Sequence, residues 1–171
     1  MGKLIGMVFI LAGCGGILVS WCKKQRMRQA VIRELIRLLS RWEYSMEREK
    51  VRLFDFLEQY RAGEPLVREF LSEVLEKLRT RDCPSGAKVW GMSLSNMRGK
   101  IDFGEDVWDA VLSADGAFFG NSRQESLQCA RVCRRRLEEC LKQETLEFAR
   151  RRKVYKPVGM LGGVLLIILF I

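Results

Sequence analysis

Arg150-Arg151-Arg152-Lys153-Val154-Tyr155-Lys156-Pro157 runs directly into Val158-Gly159-Met160-Leu161-Gly162-Gly163-Val164-Leu165-Leu166-Ile167-Ile168-Leu169-Phe170-Ile171. A basic collar here borders an uncharged apolar tail. The other end of the chain mirrors it: Leu4 to Cys22 carries no charge, and Lys23, Lys24, Arg26 and Arg28 follow within six positions. The first run is 19 residues, enough for a helix to cross a hydrocarbon core of about 30 Å. The second is 14 residues, about 21 Å as a helix, with Tyr155 and Lys156 placed to reach the headgroups and extend it. Gly159, Gly162 and Gly163 offer a close-packing face to another helix. The sequence thus predicts a transmembrane helix over 4–22, a helical domain over 23–153, and a short transmembrane helix over 155–171.

The collars also predict an orientation. Basic residues favour the cytoplasmic side of a span. Lys23, Lys24, Arg26 and Arg28 on one span, and Arg150, Arg151, Arg152, Lys153 and Lys156 on the other, all lie toward the domain. Both spans therefore set the domain in the cytoplasm, at the cell membrane. Leu11-Ala12-Gly13-Cys14, after a positive start at Lys3, supports a competing reading as a lipoprotein cleavage site, with the domain outside. Against it, the apolar run continues through Ile17-Leu18-Val19 and Trp21, and the basic flank follows.

The net charge of +9 belongs to these flanks. Removing the nine collar residues from the thirty basic ones leaves twenty-one against twenty-one acidic residues. A nucleic-acid surface would carry its excess on the folded domain, so nucleic acid is not an expected partner. The chain has no histidine, which removes the usual general base near neutral pH and the commonest metal ligand. No phosphate-binding loop is present, since Gly99-Lys100 lacks both the upstream glycine and the following hydroxyl. No nucleophile elbow is present either. Of the six cysteines, Cys129, Cys133 and Cys140 recur on one helical face, without the tight pairs of a zinc site. They read as small buried hydrophobes in a reducing compartment. No enzyme, cofactor, metal or small-molecule substrate is expected.

Between the collars the hydrophobic period is helical throughout, so the fold class is all-α: an antiparallel bundle of about five to six helices flanked by the terminal spans. Val31, Leu35, Leu38, Leu39, Trp42 and Met46 form a stripe that Val51, Phe54, Phe56 and Leu57 extend, predicting one helix from about 27 to 60. Arg61-Ala62-Gly63-Glu64-Pro65 breaks it. A second helix follows over about 65–79, then a loop over 82–86, shorter helices over 87–97 and 105–112, and a turn over 114–122. Ser122 is a candidate N-cap for a long last helix to about Arg152. Glu144 lies on that helix's apolar face, either as a polar contact within the bundle or because the face is only partly buried.

The order of these features resembles the stage III sporulation protein AB family. The likeness rests on Lys3-Leu4-Ile5-Gly6 with Val8-Phe9-Ile10, on Phe119-Gly120 before the last long helix, and on the Lys153–Leu166 stretch with its glycines and Leu/Ile-rich tail. It covers the whole chain. The family's Tyr-Gly-x-x-Pro-Leu break departs here: Tyr44 is followed by Ser45, and the Pro-Leu pair comes only at Pro65-Leu66. The resemblance implies a component of the channel between mother cell and forespore, similar in fold to the cytoplasmic domain of the type II secretion platform F protein. It further implies two kinds of partner: a secretion-type ATPase, stage III sporulation protein AA, and other membrane channel components. A generic membrane-anchored scaffold or signalling protein is the alternative from the residues alone.

Overall fold

The structure, a computed structural model, describes the backbone of residues 2–49, 51–80 and 84–170, and the side chains of 20–49, 51–80 and 84–150. Among the described residues seven α-helices follow in order: α1 (Gly2–Tyr44), α2 (Leu53–Gln59), α3 (Pro65–Thr80), α4 (Gly86–Arg98), α5 (Glu105–Leu112), α6 (Asp115–Phe119) and α7 (Arg123–Phe170). A π-helical turn, Ser45–Glu49, extends α1. No strand occurs among the described residues, as the helical period requires. The chain forms two compact units: residues 28–142, and the two chain ends up to 27 and from 143 onward.

In the first unit, an aromatic chain ties five helices together. Trp42 of α1 packs on Phe56 of α2 at 4.9 Å and on Phe118 of α6 at 5.9 Å. Phe118 meets Trp90 of α4 at 4.8 Å, and Trp90 meets the edge of Phe70 of α3 at 4.8 Å. Such ring pairs add about 0.5–1.5 kcal/mol beyond their buried area. The indole N–H groups of these two tryptophans have acceptors: Trp42 donates to the Ala117 carbonyl at 2.7 Å and Trp90 to the Val111 carbonyl at 2.9 Å. The rings are thereby fixed in angle as well as depth. On the rim of this core, α3 and α4 run antiparallel. Glu73 accepts from Lys77 and from Asn96 of α4, and Glu69 pairs with Lys100 at 2.5 Å.

The helix expected from 27 to 60 is interrupted. The α-helix ends at Tyr44, passes through the π-turn, and resumes only at Leu53. Carbonyls released at this departure need new donors, and Arg123 of α7 supplies them, donating to the Met46 and Glu47 carbonyls. Arg131 and Arg134 of α7 pair with Glu43, and Arg131 also with Glu47. A tertiary clamp therefore overrides the local helical pattern.

The expected turn over 114–122 likewise contains a short helix, α6, because Ala117 and Phe118 are buried. Ser122 caps α7 as predicted, its Oγ accepting the Glu125 N–H at 3.2 Å. Gly120 sits where a Cβ would lie 2.6 Å from both the Gly116 carbonyl oxygen and Ser126 Oγ, so the turn into α7 closes only around glycine. At Gly86 a Cβ would reach within 2.1 Å of the Phe119 ring.

In the second unit, the ends of α1 and α7 lie side by side and antiparallel. The Trp21 and Phe148 rings are 5.4 Å apart, and Gln25 Nε2 donates to Glu144 Oε2 at 3.5 Å. Glu144 is half-buried, as a partly buried face would have it, and its contact with Gln25 joins the two chain ends. The predicted spans over 4–22 and 155–171 have helical backbone up to residue 170, but the side chains of 4–19 and 155–171 lie outside the described residues. Among the described residues, no helix is long and apolar enough to cross a membrane.

Candidate functional site

A concavity of the 28–142 unit lies between the second half of α1 and the chain that returns along it through α2 to Gly63. It is an open groove of about 680 Å³. Its apolar side is made by Val51, Phe56 and Tyr60, its mouth by Tyr44, and its charged rim by Arg37, Arg41 and Arg61. The π-turn forms one end, where Ser45 Oγ donates to Glu49 Oε2 at 3.0 Å. Departures from α-helical geometry of this kind are frequent at functional sites.

At the floor sits Glu34, only 2% exposed. A carboxylate that deep is costly unless its oxygens are used. Tyr60 Oη and the Gly63 N–H each donate to Oε1 at 3.0 Å. Arg37 Nη2 lies 2.9 Å from Oε2, an ion pair whose alignment falls short of a hydrogen bond. One side chain thus holds the 60–63 segment against α1 and draws Arg37 across the groove. The Arg68 guanidinium fixes the same segment from α3, donating to the Ala62 carbonyl at 3.3 and 3.1 Å. Burial, and then the hydrogen bond to Glu34, raises the Tyr60 phenol well above its usual 10.0, so it remains a donor across the physiological range.

The spacing of Glu34 identifies its position. Residue 34 follows Val31 by three and precedes Leu38 by four, on the buried stripe of α1. A carboxylate at a core register is the sequence signal for this site. The groove itself depends on the break after Tyr44, which the period conceals.

The predicted collar residues lie elsewhere. Lys23, Lys24 and Arg26 are exposed on α1, Arg28 is half-buried at the start of the larger unit, and Arg150 is exposed on α7. Arg151, Arg152, Lys153 and Lys156 continue the α7 backbone, with side chains outside the described residues. Arg28, which belongs to the same unit as the groove, does not line it.

The cysteine face packs as small hydrophobes. Cys133 is buried, and Cys129 and Cys140 are half-buried. The Cys129 and Cys133 sulfurs are 3.9 Å apart, and the Cys129 thiol donates to the Ser113 carbonyl. Burial, followed by the neighbouring Cys133, pushes Cys129 from its usual 9.0 up to about 11, the opposite of an activated thiolate. Among the described residues no three His, Cys, Asp or Glu side chains gather as a metal site.

No curated protein and no solved structure matches the chain. The family model for stage III sporulation protein AB matches residues 3–171, essentially its whole length. The chain therefore belongs to the stage III sporulation protein AB family, and its role is in sporulation.

Proposed function

We propose that this protein is a non-enzymatic platform component of the sporulation channel between mother cell and forespore. In this reading the terminal apolar runs anchor it in the cell membrane, its helical domain faces the mother-cell cytoplasm, and it couples a secretion-type ATPase, stage III sporulation protein AA, to the membrane channel components. The observation that carries the reading is continuity. Helices α1 and α7 each run unbroken from the bundle residues into the terminal apolar runs. The basic collars flank both runs on the domain side, the arrangement that retains a domain in the cytoplasm.

Alkaline phosphatase, active only outside the cytoplasm, tests the topology when inserted after Pro84 in the α3–α4 connection. The expected fusion is stable, membrane-bound and inactive, and the purified full-length protein in detergent retains the ATPase. An active fusion would defeat the cytoplasmic platform and favour a lipoprotein processed at Cys14. Failure to retain the ATPase would defeat the coupling role.

A further inference from the structure

We infer that the groove over Glu34 is a docking site for an acidic helical segment of a protein partner. This rests on the platform reading only in supplying the class of partner. The first argument is charge. The groove's own acid is withdrawn, since Glu34 is buried, accepts from Tyr60 and the Gly63 N–H, and forms an ion pair with Arg37. Glu49 is the other lining carboxylate and is engaged by Ser45. The rim keeps Arg37, Arg41 and Arg61, all exposed.

Some arginines of this unit are neutralised within the fold, Arg79 by Glu58, Arg98 by Glu105, and Arg131 and Arg134 by Glu43; what sets the rim apart is that its guanidiniums gather around one groove. Arg41 lies over the Tyr44 ring, at 5.6 Å, and among the described residues no carboxylate pairs with Arg41 or Arg61. Two guanidiniums at the mouth of an apolar groove, both without an acidic partner, complement a segment that brings its own carboxylates.

The second argument is shape. The α1 side of the groove runs from Glu34 to Tyr44, about 15 Å of helix at 1.5 Å per residue, and the π-turn closes its end. That length suits about three turns of a bound helix, and an open trough suits a helix better than a compact metabolite, which needs enclosure. Val51, Phe56 and Tyr60 would receive the helix's apolar stripe. Arg41, Arg61 and the outer edge of Arg37 would meet carboxylates on its flank. Tyr44, 49% exposed, stands at the mouth as an amphipathic anchor of the kind enriched at interfaces.

The test places p-benzoylphenylalanine at position 44 of the full-length chain in sporulating cells and maps the photo-crosslinked peptide by mass spectrometry. The expected product joins position 44 to a helical segment bearing two or more Asp or Glu on one flank. The double variant R41E/R61E should cut its yield about tenfold. The charge-matched K88E/R135E, on exposed residues away from the groove, should leave it unchanged. Both variants should melt with the parent. Reversing the captured carboxylates to lysine should restore the yield in R41E/R61E.

Capture of a segment without acidic residues, a lipid adduct alone, no capture, or a yield indifferent to R41E/R61E would overturn the assignment. If the captured acidic segment lies outside the ATPase, and full-length protein also fails to retain the ATPase, the coupling role falls while the groove stands. If R41E/R61E retains the ATPase at parental affinity and its crosslink yield is unchanged, the groove falls while the coupling role stands.

Discussion

Glu34 answers a question that burial always raises: what repays the removal of a carboxylate from water. Its Oε1 is shared by a phenol and a backbone N–H, and its Oε2 faces Arg37. Removing the acid strands the donors, which is the costly half of breaking a buried network. Glu34→Ala is expected to lower unfolding free energy by about 3 kcal/mol, and Glu34→Gln, which keeps an acceptor, by roughly half that. Urea denaturation with an unchanged m-value would report this as lost stability; a loss below about 1 kcal/mol would show that water replaces the carboxylate. The neighbouring Tyr60 predicts a pH response. Tyr60 and Cys129 both hold their protons more tightly folded than unfolded. Their contributions are complete below the ordinary values, 10.0 and 9.0, and fade as pH rises through the folded ones. The melting temperature should therefore fall progressively above about pH 9. Tyr60→Phe should flatten the upper part of that decline while lowering stability at pH 7.

At the scale of elements, what was legible in the sequence follows from how local each cause is. Pro65 opens α3, Glu105 to Leu112 is α5, and Ser122 caps α7; each is set by residues within a turn of the boundary. The end of α1 was not legible, because its cause is remote. Positions 42, 46, 56 and 57 keep a helical apolar period, yet the backbone departs where Arg123, 77 residues on, takes the Met46 carbonyl. The groove is invisible to periodicity for the same reason, although Glu34 at a core register marks its floor. This account predicts two separable losses. Ser122→Ala should cost about 1 kcal/mol through the α7 cap. Arg123→Ala should leave global stability less affected than amide protection, with hydrogen exchange quickening across 45–53 while α3 and α4 stay protected. Uniform acceleration throughout the bundle would mean that Arg123 supports the core and not the π-turn.

For the whole molecule, the governing fact is that charge is segregated. The 28–142 unit pairs many of its ions internally, for example Glu69 with Lys100 and Glu58 with Arg79, whereas the excess of nine positive charges sits beside the apolar runs. Folding does not require that segregation, since Lys23, Lys24, Arg26 and Arg150 are exposed. In the proposed membrane arrangement its use is topological, and the two collars are not equivalent. The first flanks 19 uncharged residues, which insert on hydrophobicity alone, whereas the second flanks 14 and needs its cations to settle the end of a marginal segment. Replacing Arg150, Arg151, Arg152 and Lys153 together by glutamine should therefore leave the N-terminal segment inserted and the bundle folded, yet give a mixed orientation at the C-terminus. A C-terminal epitope scored by protease protection in spheroplasts and inverted vesicles would read this directly. The same replacement at Lys23, Lys24, Arg26 and Arg28 should disturb orientation less, because the longer run already commits. Equal effects at both ends would show that the collars act as a sum, and an unchanged C-terminus would show that the basic stretch of α7 has no part in setting the membrane boundary.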